Sequence, residues 1–417
     1  MAIVKPFKGL RPAPELAAQI AALPYDVMDS EEARMLTNQN PYSFLRITKA
    51  EVDLPVDVDV HSPEVYQTAR ANLDRFVAQG YLRQDGAPYF YIYKQQMGQH
   101  IQVGLVAAAS IGEYEGNIIK KHELTRPDKE QDRVDHIIAT GAQTGAVFLT
   151  CRADAAVKAL LTKGMQKNPA YDFTSPDGIS HTLYVIDDAA DIAALEDSFS
   201  RIPALYIADG HHRSAAAARV RELCRKNNPN HNGEEEYNRF LAVIFPDDMV
   251  KIMDYNRVVQ DLNGLLLEEF MAAIAAHFEI EKSCQGPLKP AAPHTFGMYL
   301  AGGWYKLTAK AATYATGDPV VNLDVSLLQD HLLAPVLAIA DQRTDQRINF
   351  IGGIRGMQEL ERLVDSGKYA VAFALYPTSV QELMAIADAG QIMPPKSTWF
   401  EPKLRDAMVV HLIAAGK

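Results

Sequence analysis

The stretch Ala204-Leu205-Tyr206-Ile207-Ala208-Asp209-Gly210-His211-His212-Arg213-Ser214-Ala215-Ala216-Ala217-Ala218-Arg219-Val220-Arg221-Glu222-Leu223-Cys224 decides how the chain is read. Its apolar opening, residues 204–209, has the length and composition of a short buried strand. Gly210 then permits a tight turn. The alanine-rich run from Ser214 has high helix propensity, and Ala216, Val220, Leu223 and Cys224 fall at i, i+4, i+7 and i+8 on one face. The spacing therefore predicts a strand at 204–209, a turn at 210–213 and a helix from Ser214 to about Lys226.

Outward from this core, the same signals recur. Asp29 or Ser30 can cap a helix opening at Glu31, and Ser62-Pro63-Glu64 starts another through Val65, Ala69, Leu73 and Phe76. Two strands, 89–93 and 102–110, flank Gln96-Met97-Gly98-Gln99 and suggest a hairpin. Residues 155–165 and 191–198 read as helices around a strand at 181–186, and a strand at 239–245 follows the polar loop beginning at Asn227. Pro287, Pro290 and Pro293 suggest a boundary before a strand-rich section at 295–307. Val325 to Ile339 fits a helix that Pro335 should kink or end. A strand at 369–376, a helix at 380–388 and a closing helix at 403–415 complete a mixed α/β (α+β) chain. The regions expected are an N-terminal α+β part at 1–150, a phosphate-binding part at 151–286 and a C-terminal α+β part at 287–417.

Length and composition suit this reading. The 417 residues are 48% hydrophobic and 22% charged, enough apolar material for two or three cores. The formal net charge is −11 with no run of Lys or Arg, which argues against binding a nucleic-acid backbone. No apolar stretch approaches the length of a membrane span or a secretion signal, and the three cysteines are scattered, as expected of a cytoplasmic protein. Oligomeric state is not encoded in any of these features.

Chemistry concentrates in two places. At the first, Asp209 is delivered to the end of a strand, Gly210 turns the chain, and a helix N-terminus offers unpaired N–H groups and partial positive charge to an anion. His211, His212, Arg213 and Ser214 add donors, with Arg213 able to grip a phosphate through two parallel bonds. Asp209 can hold a magnesium ion or orient a histidine. A helix-capping turn with an ordinary histidine pair is the competing reading. The second place is residues 120–133, Lys-Lys-His-Glu-Leu-Thr-Arg-Pro-Asp-Lys-Glu-Gln-Asp-Arg, which reads as a mobile active-site loop. There Glu123 is the preferred general base beside His122, with Lys121, Arg126 and Arg133 as charge stabilisers. A solvated loop of surface ion pairs is the alternative. Asp26 after Pro24-Tyr25 can bring a second metal-binding carboxylate, and Lys396 in Lys396-Ser397-Thr398 a cation for phosphate; turn formation and an ordinary loop lysine are the plain readings.

The Tyr206–Ala216 stretch resembles the phosphate-binding box of the ParB and sulfiredoxin superfamily, which includes kinases of free serine with a similar Asp-Gly-His-His-Arg loop. The resemblance implies a ParB/sulfiredoxin-like strand-turn-helix core that binds nucleotide phosphates. His211 stands where sulfiredoxin needs its cysteine, and the Glu-Arg-Arg version and helix-turn-helix of DNA-partitioning ParB proteins are absent. Over its whole length the chain is similar to domain-of-unknown-function family 1015, through Pro24-Tyr25-Asp26-Val27, His122-Glu123-Leu124-Thr125 with Asp132-Arg133, Asp209 to Arg213, and Pro395 to Phe400 with Pro402-Lys403.

These readings lead to a phosphotransferase expectation: ATP, ADP or pyrophosphate as donor, Mg2+ as the cation, and a small hydroxyl compound such as free serine as acceptor. A nucleotide-binding regulatory or scaffold protein without turnover is the rival. A ParB-like nuclease or phosphatase is disfavoured by the acidic balance.

Overall fold

The computed structural model describes residues 2–284, 286–314 and 317–413. Two compact units divide the chain: Met1–Val250 with Pro402–Lys417, and Lys251–Glu401. These limits correct the expected boundaries. A single sheet takes strands from both sides of residue 150, and the Pro287–Pro293 cluster lies inside the second unit.

In the first unit, nine strands form one mixed sheet: β1 (Val4–Lys5), β2 (Phe90–Met97), β3 (His100–Ser110), β4 (Ile119–Lys120), β5 (Val147–Cys151), β6 (Tyr171–Thr174), β7 (Ser180–Ile186), β8 (Leu205–Asp209) and β9 (Arg239–Pro246). The order is β4-β8-β5-β9-β3-β2-β7-β6, with β1 added along β3. The β2–β3 pair is the hairpin read from Gln96 to Gln99, with Gly98 at φ 58 in its turn. Central strands are apolar on both faces because helices cover the sheet, so β5 is buried throughout and β9 nearly so.

The helices that matter to the site are α1 (Ser30–Asn38), α2 (Pro63–Ala78), α3 (Pro127–Thr140), α4 (Ala155–Gly164), α5 (Ala189–Ser200) and α6 (His211–Asn227). Asp29 caps α1 in a reciprocal capping box with Glu32, as the sequence suggests. α3 packs on α6 through Val134, Ile137, Ala216 and Val220. Burying Val134, Ile137 and Val220 contributes about 1.5–3 kcal/mol each, which holds α6 against α3.

The expected closing helix at 403–415 is absent from its described part. Residues 403–412 run irregularly until His411–Leu412 pairs with Ala142–Gln143, and Leu10 exchanges two backbone hydrogen bonds with Val410. Every position from Leu404 to Val410 is buried. An amphipathic helix needs a solvent face, and apolar residues enclosed on all sides carry no period to distinguish helix from threaded chain. Ala414 and Ala415 lie outside the described residues.

The second unit has its own six-stranded antiparallel sheet: β10 (Tyr255–Val259), β11 (Phe278–Lys282), β12 (Thr295–Leu300), β13 (Gly303–Ala309), β14 (Ile348–Gly352) and β15 (Val371–Leu375), in the order β11-β13-β12-β15-β10-β14. α7 (Met357–Asp365) packs Leu360 and Leu363 with Val258, Trp304 and Ala372 in its core. The helix read around Val325 runs from Asp324 to Leu328, widens into a π turn at Gln329–Leu333 and stops before Pro335.

Candidate phosphate-binding and catalytic site

β8 reaches the site through an irregularity. Its antiparallel register with β5 shifts between Ile207 and Asp209, the pattern of a bulge, which re-aims the residue that follows. Gly210 sits at φ +100, a conformation that costs glycine nothing sterically, and a Cβ there would lie 3.4 Å from the Val147 backbone. The helix starts at once: His211, His212 and Arg213 form the first turn of α6, three residues earlier than the spacing predicts. Gly210 alone makes the turn.

Asp209 at the strand end accepts a hydrogen bond from the Lys403 ammonium, Nζ to Oδ2 2.8 Å. Burial acts to raise its pKa, but Lys403 and then Arg213 outweigh that and hold the carboxylate well below its ordinary range. His211 is 5% exposed, and its ring lies edge-on to His122 with centroids 4.5 Å apart. Burial, reinforced by its neighbour His122, lowers the His211 pKa, so the imidazole is neutral at pH 7. Burial likewise brings His122 down to about 4. The His122 backbone N–H points at His211 Nε2 at 3.5 Å, and His211 Nδ1 faces the exposed Glu123 carboxylate at 3.8 Å. His212 accepts a hydrogen bond from the Arg126 backbone N–H at 3.0 Å, tying α6 to the loop before α3.

A cleft beside Arg213 is lined by Tyr25, Arg133, Thr144, Gly145, Arg213 and Asp406. Arg213 donates to the Ala146 carbonyl at 2.9 Å and to both Asp26 carboxylate oxygens at 3.2 and 3.3 Å. Two guanidiniums share the Tyr25 ring: Arg133 at 3.8 Å and Arg213 at 5.5 Å from its centroid. Asp132 orients Arg133 and is itself held by Tyr66 and His61. Burial pushes the Asp406 carboxyl up to about 7, against the pull of Arg213. Its Oδ2 has no hydrogen-bond partner.

The structure thus gathers Asp26, His122, Glu123, Asp209, Gly210, His211, His212 and Arg213 within one unit, around the start of α6. Two expectations are corrected, for Ser214 and for residues 120–133 as a single loop. Ser214 is not available to a ligand: it is fully buried, its N–H bonds to the Gly210 carbonyl in the α6 ladder and its hydroxyl to the His211 carbonyl. Residues 120–133 are not one loop, because Pro127 opens α3 with Asp128 and Glu130 in its first turn, so Arg133 stands on a helix. The Arg126 side chain is exposed and paired with Asp128. Lys396 belongs to the second unit, where its ammonium lies 5.8 Å from the Tyr255 ring and its carbonyl accepts from Arg257. Sequence reasoning gave no role to Lys403, Asp406 or the Tyr25 ring. The Pro402-Lys403 segment was the available signal for the first; nothing in the sequence marked Asp406.

No curated protein sequence matches the chain. Similar solved structures include a conserved hypothetical protein from Pyrococcus furiosus, 14% identical with a TM-score of 0.35, covering 73% of this chain and 93% of that one. A free serine kinase in complex with AMP is 13% identical with a TM-score of 0.34, covering 73% and 92%. A C-terminally truncated SbnI from Staphylococcus aureus is 10% identical with a TM-score of 0.36, covering 72% and 85%. The family described as "Protein of unknown function (DUF1015)" matches residues 4–326, a span that includes every site residue above except Lys396, Lys403 and Asp406, and the chain belongs to that family.

Proposed function

We propose that the chain is a phosphotransferase that moves a phosphoryl group from a nucleotide or polyphosphate donor to a small hydroxyl compound, with free serine the first acceptor to try. The observation that carries this reading is the left-handed Gly210 opening a 17-residue helix whose first turn consists of His211, His212 and Arg213. A helix N-terminus and its dipole attract anions, and Arg213 in the same turn adds a guanidinium. Arg213 is held by Asp26 and Ala146, so its fork is oriented before a ligand arrives. Glu123 is exposed, within an irregular loop, and is the carboxylate best able to take a proton from an acceptor hydroxyl.

Magnesium does not fit the carboxylates first assigned to it. Asp209 is paired with Lys403 and Asp26 with Arg213, so neither offers an uncompensated charge. Magnesium would arrive with the donor phosphates as part of the substrate. The same two ion pairs favour a second reading, a nucleotide-binding regulatory protein that holds phosphate without turnover. Phosphorus NMR of the purified protein with magnesium, ATP, ADP or pyrophosphate and a pool of small alcohols including serine separates the two. A new phosphomonoester resonance supports the phosphotransferase; donor binding with no product from any acceptor supports the regulator.

A further inference from the structure

We propose that His122, His211 and Glu123 form a binding site for a zinc-class divalent transition-metal ion. One ligand atom from each lies within 4.8 Å of the others, the only such group of three among the described residues. His122 carries the argument further. It is 2% exposed, and apart from a marginal contact with the Ile207 carbonyl its ring nitrogens have no hydrogen-bond partner. A buried polar ring left unsatisfied is costly, and a coordinated ion removes that cost at one nitrogen. The Ile207 carbonyl can then receive the N–H of the other, the usual outer partner of a ligating histidine.

The geometry needs modest closure. Metal–nitrogen bonds of about 2.0–2.1 Å set tetrahedral ligand atoms roughly 3.3 Å apart. His211 Nδ1 and the Glu123 carboxylate are already at 3.8 Å. Glu123 sits in an irregular loop, whereas β8 and α6 fix His211 from behind. The contact this disturbs is the 3.5 Å hydrogen bond from the His122 N–H to His211 Nε2, at the long limit of such bonds. Two imidazoles and one carboxylate suit zinc and its neighbours, while magnesium prefers oxygen ligands throughout. Asp209 adds a negative field at both histidines.

The inference goes beyond the phosphotransferase reading. A Glu123 bound to an ion cannot accept a proton, so zinc and turnover exclude each other at this site. The experiment is a zinc titration of the chelator-stripped full chain in competition with a zinc-responsive dye, with no nucleotide present. One zinc per chain is expected, retained against millimolar magnesium and showing histidine scattering in X-ray absorption. Removing an outer partner of a ligand already weakens binding about 10–100-fold, so His122→Ala and His211→Ala should each weaken it by more than about 100-fold. Glu123→Gln, a near-isosteric change at an exposed position, should weaken it as well, which keeps the test decisive if a histidine variant does not fold. Absence of stoichiometric zinc, zinc without histidine scattering, or wild-type affinity in Glu123→Gln or a folded histidine variant overturns the proposal. Because binding is read without a phosphoryl donor, its failure and that of the phosphotransferase reading are separate results.

Discussion

Replacing Lys403 by Met tests whether the Asp209 carboxylate at the head of α6 is held by a single cation. The ammonium and carboxylate are 2.8 Å apart, with side chains 16% and 33% exposed. Breaking a fully buried ion pair costs about 3–5 kcal/mol, and a hydrogen bond to a charged group is worth about 1.5–3 kcal/mol. Asp209 keeps partial exposure and the field of Arg213. The loss at pH 7 should therefore be about 2 kcal/mol, in the lower of those ranges. The pH dependence has a definite sign. The folded pKa of Asp209 lies well below its unfolded value, so the pair's contribution is complete above that unfolded value of about 3.9 and is lost as pH falls through the folded pKa. Lys403→Met should show a flatter acid limb below about pH 4. Adding Asp209→Asn removes the stranded charge, and the double-mutant cycle should return a coupling of about 2 kcal/mol. Urea unfolding should be followed by far-ultraviolet circular dichroism, because both tryptophans, Trp304 and Trp399, lie in the second unit. A coupling below about 0.5 kcal/mol would mean that other groups hold Asp209, refuting the reasoning.

Arg213→Ala should weaken donor binding by about 10- to 100-fold in calorimetry, the equivalent of a charge-assisted hydrogen bond; unchanged affinity in the folded variant ends the phosphate-cradle reading. Glu123→Gln should keep donor binding and lower turnover by about 10²- to 10⁴-fold, and normal turnover would move the base to Asp26, Asp209 or Asp406. Burial raises the folded pKa of Asp406 to about 7, above its unfolded value. The stability this supplies is present below about pH 3.9 and is lost as pH rises through about 7, so Asp406→Asn should flatten the fall in melting temperature across that window; a slope identical to wild type contradicts the assignment. Gly210→Ala forces a side chain into the left-handed region beside Val147 and should cost about 1–3 kcal/mol, with a shift of under 0.5 kcal/mol counting against a rigid turn.

Much of the architecture was legible locally. The β2–β3 hairpin, α1 with its Asp29 cap, the Leu205–Asp209 strand and the helix behind it follow from apolar period, capping residues and glycine, all of which act within a few residues. The Asp-Gly-His-His-Arg loop was legible for the same reason, since a strand, a left-handed glycine and a helix start are neighbours in the chain. Local signals misjudged the helix start by three residues because Gly210 completes the turn alone, and they misjudged 403–413 because burial on every side erases amphipathic period.

What sequence determined by itself was a mixed α/β chain with a strand-glycine-helix turn carrying Asp209 to Arg213 and a charged segment at 120–133. Tertiary structure decided which partners the carboxylates and histidines of that turn meet. Lys403 closes on Asp209 across 194 positions, Arg213 on Asp26 across 187, and His122 meets His211 across 89. It also brought Asp406 to the cleft beside Arg213. Such pairings depend on strand order and on how helices cover the sheet. A residue's own neighbours carry no record of a partner that only the closed sheet brings within hydrogen-bonding reach.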